Sequence, residues 1–364
     1  MRNYNNVRAD PFTRTPGVAG KAFINMHYAE RIVADFSDEE ASKFVYKIVG
    51  LRGSGKSVEY GKVLNEFRSK KEWLVYSLSA AGNPTETLIA KLSAEKFVDS
   101  SDRSTSISGS VEAGSDIKLV RGSAGITVTE SISKNKDYYS QEATLDEMLL
   151  QAKDKGYKIL IGIDDISKTD EIVKFLSIIG KHFVDGDASI YLLCTGLSKN
   201  IEDFSREPNL TFFKRSDAIE ISALSRFEVA YKYEELLHVT KEKAIEMAKT
   251  VKGYAYAYQV LGSLFFTRTD ETEEKILQKF EMILFQDSYD LIWRSLSPAE
   301  KEFVKIIFDT SGKVKDIKAR MQNEQNFPMI RDRLAKKHIL NTSERGLLSI
   351  DLPRFKEYVF QWGE

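Results

Sequence analysis

Residues Gly50 to Ser57 read Gly-Leu-Arg-Gly-Ser-Gly-Lys-Ser, which sets a lysine and a hydroxyl directly after a glycine-rich turn. Glycines let a backbone curl its N–H groups around phosphate oxygens, and a helix starting at the lysine would add the positive end of its dipole. In this spacing the lysine reaches the β and γ phosphates and the serine hydroxyl holds Mg²⁺. Gly50, Leu51, Arg52, Gly53, Ser54, Gly55, Lys56, Ser57 and Val58 are therefore the candidate nucleotide-binding residues, with ATP and Mg²⁺ as the expected cofactors. The bland alternative is a glycine turn with an adventitious Lys-Ser.

A phosphate loop needs a carboxylate on another strand to complete a magnesium site. Tyr157 to Asp165 read YKILIGIDD, an apolar run ending in two acids. Asp164 is placed to orient a magnesium-bound water and Asp165 to polarise an attacking one. The same pair would also serve as a helix cap. Asp165 is shorter than the glutamate usually expected there, which points to slow hydrolysis.

The elements around these residues agree with that chemistry. Phe44 to Val49 form a β-branched run suited to a buried parallel strand, and Val58, Val63, Leu64 and Phe67 recur at helical spacing after the glycine turn. Further apolar runs at Trp73–Ala80, Ser189–Gly196 and Ala218–Leu224 bring the strands to five. Separated by helical segments, they predict an α/β class: a three-layer core with a mostly parallel sheet and the phosphate site at its carboxyl edge. Residues 104–133 are rich in Ser and Gly and alternate in polarity. They read as an inserted hairpin or pair of strands, either solvent-facing or contacting a partner.

Beyond Ser225 the strands cease. Apolar residues at intervals of three and four predict a helical lid over 226–290. Ser297-Pro-Ala-Glu caps another helix, and two more helical stretches and a hairpin at Ile339–Asp351 complete a winged helix-turn-helix pattern over 291–364. Eight basic residues stand against three acids between Lys313 and Lys337, which suits phosphate contacts. Arg331, Arg333, Lys336 and the wing residue Arg345 are the DNA-contact candidates; such a module also docks proteins, and a charged helix can simply be solvated. The division is thus a leader with a first helix at 1–40, a core at 41–225, the lid, and the winged helix.

Bulk properties narrow the class. At 364 residues the chain exceeds one typical core. With 53 basic against 54 acidic side chains the formal net charge is −1, so nucleic acid would have to meet a local patch. One cysteine, Cys194, excludes an internal disulfide and suits a buried thiol in a reducing compartment. Four scattered histidines argue against a histidine metal centre. The start lacks a signal-like apolar segment and no stretch is long enough to span a bilayer, so the expectation is a cytoplasmic protein with no membrane partner.

In order, GLRGSGKS, KILIGIDD, YLLCTGLSKN, RSDAIEISALSRFEVA, GYAYAYQVLG and the terminal winged helix resemble the AAA+ ATPases, in the branch of origin-recognition initiators and their bacterial relatives. The leader DPFTRTPGVAGKAF, Asp10 to Phe23, is similar to the segment that lies near the adenine in that family. The resemblance implies a γ-phosphate sensor after the fourth strand, for which Thr195, Ser198, Lys199 and Asn200 are candidates. It also implies an arginine given to a neighbour's site, Arg206 or, nearer the fifth strand, Arg215. Where relatives carry a nucleotide-sensing arginine on the lid, this chain has Tyr256. Together with Asp165, that departure predicts nucleotide binding with slow or partner-stimulated hydrolysis. Two function classes follow: an ATP-dependent switch acting on double-stranded DNA or a partner and able to homo-oligomerise, or a nucleotide-holding scaffold that docks proteins. A small-substrate kinase lacks any acceptor motif.

Overall fold

The computed structural model describes residues 9–38, 40, 43–95, 121–122, 125–126, 138–184 and 189–363. The amino-terminal half alternates helices and strands: α1 (Tyr28–Ser37), β1 (Val45–Val49), α2 (Lys56–Arg68), β2 (Trp73–Leu78) and α3 (Pro84–Ser93). Most of the 104–133 stretch lies outside the described residues. Its described part is a minimal antiparallel pair, β3 (Arg121–Gly122) with β4 (Gly125–Ile126). The core continues through α4 (Tyr138–Asp154), β5 (Lys158–Ile163), α5 (Asp170–Val184), β6 (Ile190–Gly196), α6 (Ser198–Phe204), α7 (Thr211–Arg215) and β7 (Asp217–Glu220).

Five of these strands form one parallel sheet in the order β2-β5-β6-β1-β7. Strand β1 is buried on both faces along its whole length, Lys47 included. Val45 and Val49 join a core under α3, α4 and α5, while Tyr46 and Ile48 join another under α1 and α2. Those two cores are the interlayers of a three-layer α/β domain. The fifth strand is shorter than expected because the chain leaves the sheet after Ile221, whose N–H still reaches Val49 O, and Leu224 N–H bonds Gly253 O at the start of the lid.

The carboxyl half is helical: α8 (Arg226–Leu237), α9 (Lys241–Val251), α10 (Ala255–Thr267) and α11 (Glu273–Leu284). A π-helical turn, Phe285–Tyr289, runs without a break into α12 (Asp290–Arg294). The boundary at 290/291 expected from sequence therefore falls inside one continuous helix. After it come α13 (Pro298–Asp309), with its Ser297–Glu300 capping box, α14 (Val314–Arg320), α15 (Phe327–Lys336) and α16 (Phe355–Trp362). The expected hairpin at 339–351 is reduced to isolated bridges, Asn341 with Ser349 and Lys313 with Leu347. Helix α16 was not anticipated, although Phe355, Tyr358 and Val359 have helical spacing and are buried.

Lid and carboxyl-terminal helices share one hydrophobic core, in which Val260, Phe280, Tyr289, Phe303, Leu334 and Phe355 are buried. The leader contributes Phe12, Ala22 and Ile24 to that core, not to the sheet. Among the described residues no helix is long and apolar enough to cross a membrane.

Candidate nucleotide site

Strand order places the chemistry. Strand β6 lies between β1, which leads into the glycine loop, and β5, which leads to the acids. The register sets Thr195 beside Ile48 and Cys194 beside Ile163, so Thr195 falls level with Asp164. The Thr195 hydroxyl donates to the Asp164 carboxylate and accepts the Asp165 N–H at 2.9 Å. Asp165 adopts φ 52°, a left-handed turn that carries the chain off the strand, and Ile166 N–H bonds Thr195 O at 2.8 Å.

In the loop itself Gly53 and Gly55 have φ of 74° and 103°, conformations that a side chain would strain. Helix α2 begins at Lys56, and its amine donates to Gly50 O at 3.1 Å and Leu51 O at 3.0 Å. Burial lowers the Lys56 pKa, opposed by the nearby charges of Asp165 and Asp164. Arg52 to Val58, together with Asp164, Asp165 and Thr195, line a cavity of about 630 Å³, a size suited to a small ligand. Gly50 and Leu51 do not line it. Gly50 packs beneath, where an added Cβ would meet Ser54 Oγ at 2.8 Å, and Leu51 faces the carboxyl-terminal half.

The remaining candidates separate spatially. Asn200 lies outside the cavity and braces the turn after β5 by donating to Ile166 O at 3.3 Å, while the Ser198 hydroxyl is buried without a hydrogen-bond partner. Tyr256 lines the cavity, and its hydroxyl donates to Asp287 at 2.5 Å. Burial, then that carboxylate, raises the Tyr256 pKa. Arg206 and Arg215 are exposed and line neither this cavity nor the smaller one described below.

Asp287 and Ser288, brought in by the π-helical turn, carried no signal in the sequence, whereas the leader, which the resemblance had set beside the nucleotide, supplies Arg14, Gly17 and Ile24. The Tyr254 hydroxyl donates to Arg52 O at 2.8 Å and sits 2.6 Å from Ser288 Oγ, and Tyr256 N–H bonds Gly53 O at 3.0 Å. The lid is thus fastened to the outward-facing carbonyls of the glycine loop. A second cavity of about 290 Å³ lies behind that loop, where Leu51 and Ser54 face His338 and Asn341. Burial lowers the His338 pKa, Glu220 opposes, and the Lys56 charge adds to the lowering.

The chain matches no family model, and no curated protein matches it. Solved structures do. A Walker-type ATPase of Pyrococcus abyssi superposes with a TM-score of 0.59 at 12% identity, over 92% of this chain and 96% of that one. The ORC2 protein of Aeropyrum pernix, solved as ADPNP-ADP complexes, gives 0.58 at 11% identity, over 98% and 96%. The fold is the one these two proteins share. Lys56, Ser57 and Asp164 line the same cavity, and the oxygens of Ser57 and Asp164 are hard ligands of the kind Mg²⁺ takes. Among the described residues no cluster of three or more His, Cys, Asp or Glu could hold a metal ion.

The winged-helix basic residues are less available than their count suggests. Arg331 is paired with Asp332 at 2.7 Å, Lys336 with Glu202 of α6 at 3.3 Å, and Lys337 with Glu300 at 2.7 Å. Lys318 pairs with Glu324 and Arg320 with Asp309. Glu202, Glu300 and Asp309 lie outside the window in which the basic excess was counted, so the local field is weaker than expected. Arg333 and Arg345 are exposed and make no ion pair among the described residues.

Proposed function

We propose that the chain is an ATP-dependent molecular switch of AAA+ type that binds Mg²⁺-ATP and hydrolyses it slowly or on stimulation by a partner. The observation that carries this reading is the convergence of Lys56, Ser57, Asp164, Asp165 and Thr195 on one cavity whose outer wall is the lid. Asp165 would align the attacking water, and Lys56 would offset charge developing on the transferred phosphoryl group. The ADPNP and ADP complexes of the Aeropyrum ORC2 protein support nucleotide as the ligand.

The test is ATP binding and hydrolysis by the purified chain, alone and with double-stranded DNA, against Lys56→Ala. Binding that the variant abolishes supports the site. Turnover unchanged in the variant would show that the chemistry lies elsewhere.

A second reading, protein docking through the carboxyl-terminal domain in place of DNA binding, is favoured by the ion pairs of Arg331, Lys336 and Lys337. DNA affinity that falls steeply with salt would support phosphate contacts. No DNA binding at low salt would support docking, with a neighbouring copy reached through Arg215 or another protein as the partner.

A further inference from the structure

The nucleotide cavity has an unequal supply of charge. Glu59, Asp164, Asp165 and Asp287 line it, and a triphosphate would add more negative charge. Its lining cations are Lys56 and Arg52 from the glycine loop and Arg14 from the leader. The lid contributes Ala255, Tyr256, Tyr258, Gln259, Asp287 and Ser288, none of them cationic. Arg14 is therefore the lining cation that reaches the cavity from outside the loop.

Its position is fixed from both sides. Before it, Phe12 is buried against Tyr233 and Tyr258, and a Cβ at Gly262 would lie 2.3 Å from the Phe12 ring, so α10 is shaped to admit that ring. Ser263 Oγ donates to Asp10 at 2.6 Å, and Thr13 N–H donates to Gln259 Oε1 at 2.9 Å, one helical turn past Tyr256. After it, Gly17 O lies 3.2 Å from where a Cβ on Gly61 of α2 would stand. The leader thus bridges lid and loop helix, with Arg14 between the two anchorages. The guanidinium makes no ion pair among the described residues, and its charge is felt at the Tyr256 hydroxyl.

We propose that Arg14 is a phosphate-contacting residue of the nucleotide site, supplied by the leader over the same cavity that Lys56 serves from the loop. A planar, permanently charged fork suits two phosphate oxygens at once. The contact would tie the leader, and through it the lid, to the phosphate chain. This inference rests on the ATP-binding reading above.

The experiment is ATP affinity by calorimetry for wild type, Arg14→Ala, Arg14→Lys and Lys56→Ala, at low and at physiological ionic strength. Arg14→Ala is expected to bind about tenfold more weakly at low ionic strength, the worth of one charge-assisted contact. The gap should narrow with salt, and Arg14→Lys should recover part of it. Because Arg14 is exposed, the melting temperature should not move. Wild-type affinity in Arg14→Ala overturns the proposal. So does a loss that Arg14→Lys shares in full and salt leaves unchanged, since that pattern marks packing on base or ribose. Failure of the wild type itself to bind ATP is a separate result that removes the underlying reading, and this proposal with it.

Discussion

Thr195→Val isolates the hydroxyl that joins the two acids, at a side chain wholly shielded from solvent. The change keeps the side-chain shape and removes two hydrogen bonds: the one donated to Asp164, and the one by which Asp165 N–H is satisfied at 2.9 Å. A hydrogen bond to a charged group contributes about 1.5–3 kcal/mol, whereas the N–H of the exposed Asp165 can turn to water. Stability should therefore fall by roughly 1.5–3 kcal/mol. Function should fall through Asp164, which would be left free to rotate away from the magnesium position. Loss of such an orienting partner typically costs about 10–100-fold in metal affinity or activity. The assay is the Mg²⁺ dependence of ATP binding, with urea unfolding alongside. Thr195→Ser keeps the hydroxyl and should retain most of the wild-type Mg²⁺ response. If Thr195→Val needed no more Mg²⁺ than the wild type, the hydroxyl would not be what holds Asp164 in place.

Gly53→Ala would put a methyl group 2.4 Å from Tyr254 Oη and force a side chain into φ 74°, so a loss of about 1–3 kcal/mol in urea unfolding is expected, with weakened ATP binding. A neutral result would mean that the lid does not clasp the loop there. Burial holds the Lys47 amine down to about 8, and it donates to Phe213 O at 2.5 Å. The folded chain then loses this proton before the unfolded chain does, so its contribution to stability rises from about pH 8 towards the ordinary lysine value. Lys47→Met should remove that rise, worth about 3 kcal/mol, and the difference in unfolding free energy between wild type and variant at successive pH values reports it. If DNA binds, Arg333→Ala and Arg345→Ala should each reduce the slope of affinity against salt by about one, and Lys336→Ala by less, because Glu202 already holds Lys336. Equal effects would contradict the pairing seen here.

What the sequence made legible follows from how far apart the cooperating residues are. The glycine loop was readable because its residues are contiguous, and the strand before and helix after it are local patterns too. Asp164 and Asp165 were readable for the same reason. Choosing Thr195 over Asn200 needed the sheet order, since only β6 lying between β1 and β5 sets Thr195 level with Asp164. Asp287 had no signal, because a π-helical turn has no sequence period of its own and its aim depends on that turn. The partners of the basic residues were not legible, because charges pair in space and not along the chain: Glu202 lies over a hundred residues before Lys336.

The shared core changes how a nucleotide signal can travel. A lid that hinged independently of the winged helix would need a break between them, but the helix runs through from Glu273 to Arg294 and Tyr289 Oη donates to Pro353 O at 2.5 Å. Tyr289 also stacks with Tyr254, whose hydroxyl holds the glycine loop. Separating lid from winged helix would expose that common apolar core, a cost far larger than breaking the exposed Lys336–Glu202 pair or the few hydrogen bonds to the loop. The weaker joint is therefore the one between the sheet domain and the whole carboxyl-terminal half, crossed by the leader and by residues 221–225. Any rearrangement driven at the phosphates would move lid and winged helix together, with the hydrogen bonds of Tyr254 and Tyr256 to the glycine loop and the Lys336–Glu202 pair among the contacts that must give way.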